Sequence, residues 1–224
     1  MKTPPFLIVA IDGGAAAGKS STAHALSARF HFLHADTGSY YRALTSELLH
    51  RGVKATDPES VRAELADLKF DTQIVARDAR MKIHGDRVSE TDIRSEAVNH
   101  AVSHFAALPD LRSALLAYQR SLADLARANQ FSGLVMEGRD IGTVIFPKAD
   151  FRIFLHADPD ERVRRREREG QTDAVAERDR LDSSRAAAPL TCPAGALAID
   201  STHLPLNEVV ERIARLITAR LLGP

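Results

Sequence analysis

The chain has 224 residues, with 30 Lys and Arg balanced by 30 Asp and Glu, so its formal charge is zero. That length suits one sizeable α/β domain with room for small inserted pieces, and the charge balance removes the simplest electrostatic case for a nucleic-acid polymer or a membrane as partner. A single cysteine, Cys192, excludes an internal disulfide and fits a reducing, cytoplasmic compartment.

The first apolar run, "LIVAI" at 7–11, is too short for a secretory or membrane-spanning segment and reads as a buried strand. A stretch of small residues follows. Then Ala23, Leu26 and Phe30 fall on one side of a helix. "FLHA" (32–35) is a second strand, ending at Asp36, and Tyr41, Leu44 and Leu48 form a helical stripe stopped by Gly52. Residues 70–90 break the alternation. "FDTQIV" and "MKIHGDRVS", with turn-like "RDAR" and "HGDR", predict a small antiparallel piece. Ile93, Ala97, Ala101 and Phe105 then repeat at helical spacing up to Pro109.

"LVME" (134–137) is the next strand, followed by Gly138, Arg139 and Asp140, and "FRIFL" (151–155) another. Residues 161–185 are too polar for a core and predict a solvated helical arm. "ALAID" (196–200) is the last strand, and Val209, Ile213, Leu216 and Arg220 follow a final helical row. Continuous apolar strands alternating with helices predict an α/β fold, a parallel sheet with helices on both faces.

The small-residue stretch carries chemistry. Gly13 to Ser20 matches G-x-x-x-x-G-K-[ST] between a strand and a helix, the context of a phosphate-binding loop. Backbone N–H groups of Gly13, Gly14, Ala15, Ala16, Ala17 and Gly18 can surround phosphate oxygens because little side chain blocks them. The helix N-terminus adds partial positive charge, Lys19 adds a full one toward the β- and γ-phosphates of a nucleotide, and Ser20, next to Ser21, offers a hydroxyl to Mg²⁺.

Two strand ends, at Asp36 and Glu137, each carry an Asp and an Arg where ligands of such sheets collect. In the arm, Arg178, Asp182 and Arg185 are spaced to share one face of a helix. A hydroxyl acceptor calls for a general base. A phosphate monoester is already ionised near neutral pH, and the difficulty becomes repulsion between two anions. Arg42, Arg139, Arg178 and Arg185 suit that second task, since a guanidinium fork fits phosphate oxygens. Two rivals remain at this point. A small-molecule or nucleoside hydroxyl kinase would use Asp36 or Asp140 as base, and a regulatory P-loop switch would carry D-x-x-G and N-K-x-D strings, neither of which occurs.

"AIDGGAAAGKSS", "DTGSYYR", "EGRDIGTVIFP" and "RDRLDSSRAAAPL", with a closing "DST", occur in that order. The chain resembles the bacterial cytidylate kinases over nearly its whole length. The resemblance implies a P-loop fold with a five-stranded parallel sheet (core about 1–60, 108–160 and 186–224), a nucleotide-monophosphate-binding insert at about 61–107 and a lid at about 161–185. It implies transfer of the γ-phosphate of ATP, with Mg²⁺, to CMP or dCMP, by a protein expected to be a monomer. Carried over by motif, Arg42, Arg139 and Arg185 would hold the acceptor phosphate, and Arg178 would act across the transferring group. Asp36 and Thr37 would stand near the acceptor nucleotide, Ser103, Arg112 and Asp140 would face cytosine, and Asp182 would bond the sugar hydroxyls. The chain departs from the family pattern at Gly14, where Pro is usual, and at Ala16, where Gly is frequent. Ala16 is strained if its φ is positive.

Overall fold

Alternate residues of β1 (Leu7–Gly13) feed two separate cores, which is why the run reads as continuously apolar. The computed structural model of the protein describes residues 5–168, 175–184 and 188–223, with the side chains of 175–178 left out. Leu7, Val9 and Ile11 pack on one face of the sheet with α1 (Lys19–Phe30). Ala10, on the other face, packs with Leu33 and Ala35 of β2 (Phe32–Asp36) and with Tyr40, Leu44 and Leu48 of α2 (Thr37–His50). Each fully buried Leu or Ile of this kind contributes about 1.5–3 kcal/mol.

The chain continues through α3 (Pro58–Asp67), β3 (Phe70–Val75), β4 (Asp78–Ile83) and β5 (Asp86–Arg87). Short α4 (Glu90–Ile93) is followed by α5 (Glu96–Ala106), long α6 (Pro109–Ala128) and β6 (Gly133–Gly138). A π-helical turn (Ile141–Ile145) leads to β7 (Phe151–His156), α7 (Pro159–Arg168), α8 (Val175–Ser184), β8 (Leu197–Asp200) and α9 (Leu206–Leu222). The strand order is β3-β4-β2-β6-β1-β7-β8, with β5 paired to β4. β2, β6, β1, β7 and β8 pair in parallel, the five strands anticipated from the sequence. The antiparallel piece does not stand apart from them. His34 of β2 pairs with Asp78 of β4, so the hairpins extend the central sheet to eight strands. Among the described residues, no helix is long and apolar enough to cross a membrane.

Three local expectations need correction. Ile93 does not share a helix with Ala97, Ala101 and Phe105. It closes α4, and Ser95 starts α5 afresh by accepting a hydrogen bond from Val98 N–H at 3.4 Å. The "RDAR" stretch is mostly strand, since Asp78 to Arg80 lie in β4 and the turn sits one step earlier, at Ala76 with φ 55°. Leu216 and Arg220 lie off the buried row of α9, which runs instead through Val209, Val210, Ile213, Ala214 and Ile217.

Candidate active site

Strand register brings the acidic strand ends together. Asp36 lies beside Glu137, and Asp12 beside Gly138, all at the carboxyl edge of the parallel strands. The loop after β1 starts at Gly13, where a Cβ would come within 2.1 Å of the Leu155 carbonyl oxygen, so only glycine lets the chain leave the sheet so close to β7. It ends at Gly18, in the left-handed region at φ 89°, and no side chain caps α1 there. An uncapped helix N-terminus leaves backbone N–H groups for an anion.

Lys19 is nearly buried, and its Nζ donates to the Gly14 carbonyl at 2.7 Å. Burial, with the nearby Arg139 charge, pulls its pKa down to about 7, against the pull of Glu137 and Asp36. Ser20 Oγ donates to Glu137 Oε2 at 2.8 Å. The other Glu137 oxygen faces His34 Nε2 at 3.0 Å, and His34 Nδ1 faces Asp78 at 3.0 Å. Burial alone would lower the His34 pKa, but its bonds to the two carboxylates outweigh burial and push it up to about 9.

A cavity of about 210 Å³ collects most of the residues singled out in the sequence. At one end it is lined by Ala15, Ala16, Lys19 and Ser20, and at the other by Asp36, Thr37, Arg42, Ser103, Arg112, Arg139, Asp140 and Asp182. Asp36 caps α2 by accepting from Ser39 N–H at 3.3 Å, and Thr37 Oγ1 donates to the Glu137 carbonyl at 2.8 Å. Arg42 is fixed by Asn99 Oδ1 at 2.7 Å and the Ile93 carbonyl at 3.1 Å. Arg112 is ion-paired with Asp140 and lies over the Tyr41 ring, 5.5 Å from its centre. Arg139 Nε donates to Asp182 Oδ2 at 2.8 Å, so the strand end and the charged arm meet here.

A second cavity of about 590 Å³ opens on the other side of the loop, lined by Ala17, Gly18 and Ser21 with Arg165 and the 201–206 segment. Gly13 and Gly14 line neither cavity. Gly14 is covered by Arg162 and Asp179, whose side chains would crowd a Cβ at 2.8 and 3.0 Å. Arg178 falls in α8, but its side chain, and the whole of Arg185, lie outside the described residues.

A family model described as cytidylate kinase matches residues 9–219. The chain belongs to the cytidylate kinase family. It is 40% identical to the cytidylate kinase of Geobacillus kaustophilus, over 95% of this chain and 97% of that one, and 39% identical to the cytidylate kinase of Solibacter usitatus, over 96% and 94%. The fold is also similar to that of an unliganded sugar kinase from Janibacter sp., with a TM-score of 0.50 at 13% identity, covering 96% and 95% of the two chains.

Besides Glu137, this cytidylate kinase family member places three further side chains at the site, Asp12, Arg94 and Asp179. Asp12 accepts from Ile141 N–H at 2.6 Å and Gly142 N–H at 2.7 Å, anchoring the turn that follows Arg139 and Asp140. Burial pushes its pKa up to about 6, against those two N–H bonds. Glu137 holds Ser20, and Arg94 lines the same cavity. Asp179 of α8 is ion-paired with Arg162 and accepts from Ala15 N–H at 3.1 Å, so an arm carboxylate sits on a loop N–H group. A single acidic residue ending an apolar run was the available signal for Asp12 and Glu137. Arg94 and Asp179 carry none that separates them from neighbouring surface charges.

Proposed function

We propose that the protein transfers the γ-phosphate of ATP to CMP or dCMP, giving ADP and the corresponding diphosphate. The observation that carries this reading is the single cavity with a phosphate loop, Lys19 and Ser20 at one end and Arg42, Arg94, Arg112 and Arg139 at the other. Arg42, Arg94 and Arg139 suit an acceptor that is already an anion. They are surplus to a hydroxyl acceptor. The Asp140 carboxylate is moreover engaged by Arg112.

In this reading the ATP phosphates lie on the loop from Gly13 to Ser21, and the donor nucleoside extends into the second cavity, toward Arg165 and Ser201. Lys19 stabilises charge on the transferring group. Ser20, with carboxylates at Glu137 and Asp36 beside it, offers the hard oxygen donors that Mg²⁺ takes, and the ion would neutralise phosphate charge there. Arg42 and Arg139 hold the acceptor phosphate with Arg185, Arg178 acts across the transferring group, and Asp182 bonds the sugar. Asp140, Arg112 and Ser103 select the base, the carboxylate accepting from the cytosine amino group and the guanidinium donating to its ring acceptors. The insert at about 61–107 and the lid at about 161–185 close over the two nucleotides and exclude water. The protein acts in the cytoplasm as a monomer, a state that sedimentation checks directly.

A coupled ADP-release assay with CMP, dCMP, UMP and cytidine tests the reading. CMP or dCMP should exceed UMP in kcat/KM by roughly two orders of magnitude. Cytidine turning over as well as CMP overturns it.

A further inference from the structure

Behind the acceptor end, across Glu137, lies another cavity of about 220 Å³ with His24, His34 and Asp78 on its wall. Among the described residues, these three are the one group of His, Cys, Asp or Glu side chains that converges closely enough to share an ion, with ligand atoms all within 4.8 Å of one another. They come from three separate elements, His24 from α1, His34 from β2 and Asp78 from β4. Both imidazoles approach the same oxygen. His34 Nδ1 is 3.0 Å from Asp78 Oδ1, His24 Nδ1 is 3.5 Å from it, and the ring centres are 4.1 Å apart.

A hydrogen bond accounts for the first approach. The second stands at the outer limit for one. Four-coordinate zinc, with bonds of about 2.0–2.1 Å, sets its ligand atoms about 3.4 Å apart, and the two observed separations bracket that spacing. His34 also has the orienting partner that metal-bound histidines use. Its Nε2 faces Glu137 Oε1 at 3.0 Å, which fixes the ring and leaves Nδ1 toward Asp78.

We propose that His24, His34 and Asp78 form a binding site for a divalent transition-metal ion such as Zn²⁺, held by two imidazole nitrogens and one carboxylate oxygen and open to water on its cavity side. The ion takes the place of the proton between His34 Nδ1 and Asp78, that proton leaves to solvent, and the other proton stays on His34 Nε2, donated to Glu137 Oε1. The donor set separates this site from the Ser20 end of the loop: imidazole nitrogen favours zinc, nickel, cobalt or copper, whereas hydroxyl and carboxylate oxygen favour magnesium. Its place gives it consequence. His34 and Asp78 form the pair that joins β4 to β2, so a bound ion ties the hairpins to the central sheet. Glu137 links it onward to Ser20.

The test is titration of the untagged full chain with Zn²⁺ by calorimetry, and with Co²⁺ by visible absorption. The expected result is one saturable ion per chain, with cobalt bands of a low-coordinate nitrogen and oxygen site. His24→Ala, at a half-exposed position, should weaken binding by about tenfold or more, as should Asp78→Asn. Cys192→Ser should leave it unchanged, since Cys192 is exposed and free and is no part of the site. Zn²⁺ should raise the Tm of the unaltered protein and not that of His24→Ala, because an ion that binds only the folded chain stabilises it. No saturable binding, equal affinity in His24→Ala, or loss of binding in Cys192→Ser overturns the proposal.

Discussion

The two ends of the main cavity are built differently. At the acceptor end the side chains stand on strand ends and packed helices: Thr37, Ser103, Glu137 and Asp140 are all buried, and Arg112 is clamped by Asp140 and Tyr41. At the arm end nothing on α7 is buried. The arm reaches the loop through polar contacts: Asp179 with Ala15 N–H at 3.1 Å, Arg162 with the Ala15 carbonyl at 3.2 Å and Arg165 with the Ala16 carbonyl at 3.4 Å. The first end is positioned by burial, which a ligand does not alter. The second is positioned by charge, for which an incoming polyphosphate competes directly. Segments with few buried apolar contacts open at low free-energy cost, so the proposed closure fits the arm and the proposed selectivity fits the sheet.

The largest effect that can test this division is at the loop. Lys19→Met should cut turnover by about two to three orders of magnitude, the usual cost of losing one preorganised electrostatic contact, and a coupled ADP assay reads it. Near-normal turnover in the folded variant would remove Lys19 from the chemistry. The same residue makes a pH prediction. With its pKa held near 7 by burial, against 10.5 for an ordinary lysine, the unfolded chain binds more protons than the fold between those values. The ligand-free fold therefore gains stability as pH rises through that window, and Lys19→Met should lack this gain. Phosphate beside Lys19 favours its ammonium form. ATP binding at pH 8 should then take up a proton, measurable by calorimetry in buffers of different ionisation enthalpy, and the uptake should vanish in Lys19→Met.

The acceptor end predicts a change of preference rather than a collapse. Asp140→Ala should shrink the CMP to UMP ratio of kcat/KM toward unity from roughly two orders of magnitude, mainly by losing CMP. In the proposed reading, the carboxylate that would accept from the cytosine amino group is also the group that would repel the uracil carbonyl. ATP affinity should stay near its original value, because the role proposed for Asp140 is toward the acceptor base alone. A ratio that Asp140→Ala leaves untouched would place base selection elsewhere.

The same division explains what was legible in the sequence. Continuous apolar runs separated by helical stripes gave the parallel strands to within a residue or two, because strands buried on both faces leave that signature. The loop and both acidic strand ends were legible for the same reason: the motif fixes local backbone, and strand order carries it to the sheet edge. What tertiary contact decides was not legible. The separation of Ile93 from the α5 row depends on the Ser95 cap. The union of the hairpins with the central sheet depends on His34 meeting Asp78, 44 residues away. Asp179 reads as one more solvated acid in a charged arm until the fold sets it on Ala15 N–H.

The smallest expected effect concerns the loop backbone. Ala16 stands at φ 56°, in the left-handed region, where an L-residue with a Cβ loses roughly 1–2 kcal/mol. Its side chain has no polar group to offer, and its carbonyl is what meets Arg165 Nη1, at 3.4 Å. Glycine would keep that carbonyl and relieve the strain, while adding about 0.4–1 kcal/mol of freedom to the unfolded chain. The balance favours Ala16→Gly by about 0–1.6 kcal/mol, a Tm rise of up to about 6 °C for a chain of this size. Gly18→Ala imposes such strain at φ 89° and recovers only the lost freedom of the unfolded chain, so the same balance puts its cost at about 0–1.6 kcal/mol and its Tm should fall. Scanning calorimetry of the two variants reads both signs. If Ala16→Gly melts lower than the original protein, the methyl group is packing rather than strain, and the loop is held by side chains as the acceptor end is.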